Sequence, residues 1–201
     1  MKLPKPDALI LGMLLDDPLS PYDMAKLAQT INPNYWITIA KQTFYVNVQR
    51  LAKKGLIEGH TIRQGKMPEK TLYTLTNSGK EAITKRFLDF LASDELDTEM
   101  FRLAIFLLAY IPVEREELYP YLWERITQLT KLDESLSQKM EVAQEQLPQE
   151  QLPLNVYIIN KYTLQMIRYE IKIAEELRGV LEDDARWAFF TRLKLADFAK
   201  Y

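Results

Sequence analysis

The sequence predicts a mainly α protein with one small β-hairpin, arranged in two parts. Three short helical segments with boundary signals are followed, between residues 56 and 75, by two alternating stretches around a turn. Beyond Ser93 the periodicity is helical throughout. Charge divides at nearly the same place: residues 1–86 carry 13 Lys/Arg against 7 Asp/Glu, a formal +6, while residues 87–201 carry 13 against 21, a formal −8. A net charge of −2 therefore conceals a basic front half, the asymmetry expected when only one part of a chain meets a polyanion.

The elements follow in order. The first helix is expected from Asp7, as N-cap, to about Leu15, ahead of the Asp17-Pro18 stop. Its dense apolar content suits burial on most sides, and Gly12 suggests a close helix crossing. The second helix opens at Ser20-Pro21-Tyr22-Asp23, where Ser20 caps, Pro21 suits the first helical position and Asp23 completes a capping box.

The third segment, around TFYVNVQRLAKKGLI (43–57), places Ala40, Phe44, Val48 and Leu51 on one face. Its opposite face is polar and basic, and no Asp or Glu occurs between Lys41 and Lys54. Solvated helices usually mix charge signs for intrahelical pairing. Gly55 ends the helix as a C-cap glycine.

A strand begins at Leu56-Ile57-Glu58, Gln64–Pro68 reads as a turn, and Thr71–Leu75 alternates as the returning strand. Three helices and a hairpin are the order of a winged helix-turn-helix, with Arg63, Lys66 and Lys70 on or beside the wing. Thr76 reads as the cap of a fourth helix, with Lys80, Lys85 and Arg86 on its outer side. Residues 1–92 are thus expected to form this domain.

Residues 93–201 read as an acidic, all-helical dimerisation and effector domain, with segments at about 97–111, 114–147 and 154–183. Leu129, Leu136 and Met140 recur along the second segment, and Tyr162, Met166, Tyr169, Ile173 and Leu177 along the third, beginning at Ile159. Stripes of this length resemble the seams of paired helices. The PQEQLP stretch (148–153) is the expected turn between them.

Several classes are disfavoured. The chain holds no cysteine, which excludes disulfides, iron–sulfur clusters and thiolate zinc sites. The longest apolar run, Leu103–Val113, falls short of the roughly 18 residues of a membrane span. MKLPKPD lacks a signal-peptide hydrophobic region, so a cytoplasmic location is expected. The single His60 has no nucleophile arrangement around it, and neither a Walker loop nor G-x-G-x-x-G occurs. No enzyme, metal or cofactor is expected.

The segments LILGMLLDDPLSPYDM (9–24), TFYVNVQRLAKKGLI (43–57) and KTLYTLTNSGKEAI (70–83) resemble the PadR family of winged-helix transcriptional regulators. The resemblance runs through Leu11-Gly12-Met13-Leu14, Tyr22-Asp23, Thr43-Phe44-Tyr45, Arg50-Leu51, Gly55-Leu56-Ile57 and Tyr73-Thr74-Leu75-Thr76 with Gly79. It covers about residues 8–85. Departures at Pro21, Ala40, Gln42, Asn47-Val48 and Met67-Pro68-Glu69 bear on the operator sequence more than on the binding mode.

The resemblance implies a homodimer that docks a recognition helix from each subunit into successive major grooves of double-stranded DNA at a palindromic operator. Repression is the family's usual mode. The residues expected to serve this are Lys41, Gln42, Thr43, Tyr45, Val46 and Gln49 near base edges, with either glutamine suited to adenine. Thr43, Tyr45, Arg50, Lys53, Arg63, Lys66 and Lys70 suit phosphate oxygens. Tyr22 and Tyr73 are expected to be structural. Aromatics of the acidic domain could line the cavity of a small-molecule effector, although core packing explains them more simply. The competing reading is a winged-helix protein-interaction adaptor. The acid-free stretch from 41 to 54 favours DNA, because an adaptor has no need of it.

Overall fold

The computed structural model describes residues 3–31, 39–63, 69–146 and 153–191. They form α1 (Lys5–Met13), α2 (Pro21–Ile31), α3 (Lys41–Lys53), β1 (Ile57–Ile62), β2 (Lys70–Leu75), α4 (Asn77–Leu91), α5 (Thr98–Leu107), α6 (Arg115–Gln146), α7 (Leu154–Glu182) and α8 (Asp184–Phe190). The chain is mostly helical with a two-stranded antiparallel hairpin, as its sequence predicts. Among the described residues no helix is long and apolar enough to cross a membrane. The expected turns at Gln64–Pro68 and within PQEQLP fall outside the described residues, apart from Pro153.

The helices divide into two compact units. The first holds residues 1–88 and 97–113 together with the end of the described chain; the second holds 89–96 and 114–187.

In the first unit α1 is buried nearly all round, with Leu9, Ile10, Leu11 and Met13 at most 1% exposed. Gly12 is where α5 crosses: a Cβ there would lie 2.6 Å from a Leu107 methyl. The expected start of this helix is corrected. Pro4, not Asp7, is the N-cap, and Lys5-Pro6 opens the first turn, where proline costs no hydrogen bond. Asp7 lies inside that turn, fully buried.

The capping box of α2 is formed as its sequence predicts. The Asp23 amide donates to Ser20 Oγ at 3.2 Å, and the Ser20 amide donates back to Asp23 Oδ2 at 3.2 Å. At the far end of α3, Gly55 takes φ +69°. The Leu56 amide bonds the Leu51 carbonyl, and the Gly55 amide bonds that of Ala52. Those two bonds are a Schellman motif, which a left-handed glycine permits without strain.

The hairpin follows at once, with Ile57 opposite Leu75 and Ile62 opposite Lys70. Leu19 adds a short bridge to the outer edge of β2 at Tyr73. Thr76 caps α4 by accepting from the Gly79 amide at 3.1 Å, and its hydroxyl donates to the Gly55 carbonyl at 2.7 Å. A Cβ at Gly79 would lie 2.0 Å from the Leu56 carbonyl oxygen. Only glycine lets α4 begin so close to the end of the α3 turn.

The second unit is an antiparallel pair of long helices. Leu118, Leu122, Ile126 and Leu129 of α6 are buried with Leu164, Ile167, Ala174 and Leu181 of α7. Tyr119 of α6 donates to the Leu181 carbonyl at 2.5 Å, and Arg168 of α7 bonds Asp133 at 2.7 Å. The centre of the pair is ionic: Arg125, fully buried, is paired with buried Glu170. The same guanidinium donates to the carbonyls of Ser93 at 2.7 Å and Phe90 and Glu95 at 3.2 Å, and it stacks 4.7 Å from the Phe90 ring. Burial lowers the Arg125 pKa from its ordinary value, against the pull of Glu170.

Candidate nucleic-acid interface

α3 presents two faces of opposite character. Phe44, Asn47, Val48 and Leu51 are buried. Lys41, Gln42, Tyr45, Val46, Gln49, Arg50 and Lys53 are exposed, with Thr43 between the two groups. Ala40, expected in the apolar stripe, is instead the extended N-cap and is exposed. Its side chain makes no capping hydrogen bond, and the Thr43 amide of the first turn instead donates to the Ala40 carbonyl at 2.9 Å.

At about 100° per residue, Val46 stands at the middle of the exposed face. Gln42 and Gln49 lie about 40° and 60° to one side of it, and Arg50 about 40° to the other. Val46 is 63% exposed, a high value for an apolar side chain in the centre of a helix.

Arg50 has a definite partner. Its guanidinium forms an ion pair with Asp7, the fully buried acid of α1, while the Arg50 side chain remains 44% exposed. The local pattern of α3 gives no sign of this pair, because its acid lies 43 residues earlier.

On the other flank of α3, a groove of about 290 Å³ runs between it, the start of α2 and strand β2. Tyr45 and Gln49 line it from α3, Ser20 and Tyr22 from α2, and Lys70, Thr71 and Tyr73 from β2. Tyr22, expected to be structural, is 65% exposed at this groove. The Leu19 bridge to Tyr73 brings its two far walls together. Lys70 Nζ sits 2.7 Å from Asp23 Oδ2, which ties the base of the wing to the capping box of α2. Partial burial raises the Asp23 pKa, but the hydrogen bonds from Lys70 and Ser20 outweigh it and leave the carboxyl below its ordinary value.

Arg63 is exposed at the end of β1, and Lys66 lies outside the described residues. The structure therefore gathers Gln42, Thr43, Val46, Gln49 and Lys53 on one outward surface, with Tyr45 on its groove side. Arg50 and Lys70 are each held by an acid at its margins.

Residues 10–85 match the model of the transcriptional regulator PadR-like family. Over that segment the chain is similar to the PadR-like family. The match includes the last four residues of α1, all of α2 and α3, the hairpin and the first nine residues of α4. The proteins of that family are described as transcriptional regulators. The negative transcriptional regulator PadR of Bacillus subtilis (strain 168) is 25% identical over 177 residues, covering 87% of this chain and 96% of that protein. Two solved structures are similar. Bacillus subtilis PadR in complex with operator DNA is 20% identical with a TM-score of 0.38, over 87% of this chain and 96% of that one. A PadR-like transcriptional regulator from Bacillus cereus is 16% identical with a TM-score of 0.36, over 89% and 98%.

Proposed function

We propose that this protein is a sequence-specific DNA-binding repressor that occupies a palindromic operator as a homodimer, with residues 1–92 binding DNA and residues 93–201 holding the dimer. The observation that carries the reading is the outer face of α3. It is exposed along its length, free of acids in sequence, bounded by Lys41 and Lys53, and built of amide, hydroxyl and apolar groups that suit base edges. The relative whose name records negative regulation, and the operator complex of Bacillus subtilis PadR, support the repressor form of this reading.

The homodimer is supported by α7. Its inward stripe is Leu164, Ile167, Ala174, Leu177 and Leu181, yet a second apolar row lies beside it. Ile158, Ile159, Tyr162 and Tyr169 are each more than half exposed on the single chain, and Met166 and Ile173 are partly so. A contiguous exposed apolar row on a long helix marks a surface that a partner covers. Leu129, Met140 and Leu177 are buried within the single chain and Leu136 partly so, so the row on α7 offers the larger share of the dimer contact.

The test is fluorescence anisotropy with duplex DNA from upstream of the protein's own gene, titrated over several salt concentrations, beside a Lys41→Ala/Lys53→Ala variant. Affinity that falls steeply with salt, with a slope shallower by about 1–2 in the variant, supports phosphate contacts by these cations. A scrambled duplex bound equally well would remove the sequence-specific part. No binding at low salt, with the dimer intact by sedimentation, would remove the DNA reading. Arg50 is left in place in this test because its removal would strand Asp7.

A further inference from the structure

We infer that the central turn of α3 reads A·T base pairs, with Val46 seated on a thymine methyl and Gln42 or Gln49 paired to adenine. This rests on the DNA-binding reading above and names the base chemistry of that same surface.

Two observations converge. The first concerns what is present. Val46 is 63% exposed at the middle of the outer face, where solvation alone would favour a polar residue. In the major groove the C5-methyl of thymine is the apolar feature of a base edge, and small apolar side chains are what contact it. Gln42 and Gln49 lie one turn before and after Val46 on the same side, and both are exposed. A glutamine amide offers one donor and one acceptor, which matches adenine N7 and N6.

The second concerns what is withheld. The common reader of guanine is arginine, bidentate to O6 and N7. Arg50 is the sole arginine of α3, and its guanidinium is committed to buried Asp7. Leaving that partner would abandon a carboxylate in the core, a cost that a single base contact does not offset. Lys41 and Lys53 stand at the two ends of the helix, and Lys41 points well to the side of Val46. They suit flanking phosphates. The middle of the face therefore holds adenine and thymine readers and no arginine free to grip guanine in bidentate fashion.

The experiment begins with selection of duplexes from a randomised pool by the full-length protein. The enriched site is then resynthesised with deoxyuridine replacing each thymidine in turn, which removes one methyl and leaves the base pair intact. For the wild type, one thymidine per half-site is expected to be sensitive, with affinity falling about three- to fivefold, the worth of one buried methyl. In Val46→Ala that sensitivity should largely vanish, while thermal stability stays unchanged because Val46 is exposed. A 7-deazaadenine scan, which removes N7, should find a sensitive adenine whose effect disappears in Gln42→Ala or Gln49→Ala. Enriched sites whose half-site centres are G·C, uniform indifference to deoxyuridine, or equal sensitivity in Val46→Ala would overturn the assignment while leaving DNA binding intact. Failure to enrich any duplex would overturn both.

Discussion

Asp7 of α1 and Arg50 of α3 form an ion pair in which the acid is fully buried and the base half-exposed. The pair fixes α3 to the hydrophobic helix behind it through an acid that has no access to water. Arg50→Ala should therefore lower stability by about 2–3 kcal/mol, toward the low end for a broken buried pair because its arginine still meets solvent. Asp7→Asn/Arg50→Leu should recover part of the loss. Urea unfolding of the single and double variants measures this, and strictly additive losses would show that the two groups are uncoupled.

Gly79 stands where α4 begins against the Leu56 carbonyl. Gly79→Ala places a methyl inside the radius of that oxygen and should cost about 1–3 kcal/mol, although alanine is the better helix former. Gly12→Ala should cost less, because its Cβ meets the end of the Leu107 side chain, which can turn aside. Thermal melts of the two variants give the order, and equal losses would contradict it.

The α6–α7 pair depends on Glu170 as the counter-charge to Arg125. Glu170→Ala leaves a buried guanidinium without its paired carboxylate and should cost about 3–5 kcal/mol. Arg125→Met/Glu170→Leu removes both charges and should be markedly more stable than Glu170→Ala. Calorimetry of these variants is the check, and a double variant as unstable as the single would argue that the carbonyl contacts of Arg125 dominate.

Asp23 contributes a stability term that depends on pH. Its folded pKa lies below the ordinary carboxylate value, so its stabilisation is present in full above that ordinary value and is lost as pH falls through the folded pKa. Asp97 is shifted the same way: partial burial opposes the shift, and bonds from Lys5 and the Met100 amide overcome it. Urea midpoints followed from about pH 5 to pH 2 should decline for the wild type and decline less for Asp23→Asn. Parallel curves would show that this carboxyl gains nothing on folding.

What could be read from the sequence was mostly local. Ser20 and Asp23 are three residues apart, Gly55 and Thr76 sit at their own helix ends, and each forms the cap that its position implies. Features that join distant segments were not legible. Asp7 resembles a cap by position, and only the fold shows Arg50 opposite it. Arg125 and Glu170 stand 45 residues apart with nothing local to mark them. On α7 periodicity reveals apolar rows but not which one faces α6: the row through Ile159, Tyr162 and Tyr169 lies beside the packed row of Leu164, Ile167 and Leu181. The candidate surface on α3 was legible because an amphipathic helix declares its outer face. The engagements of Arg50 and Lys70 were not, since both acids lie in other elements.

The division of α3 also bears on how such a protein can change over generations. Phe44, Val48, Leu51 and the Asp7–Arg50 pair hold the helix in place, whereas Gln42, Val46 and Gln49 project from it into solvent. Substitutions at those three positions leave the core untouched, so under the proposed DNA-binding reading a duplicated copy can drift to new target sites without first crossing an unfolded intermediate.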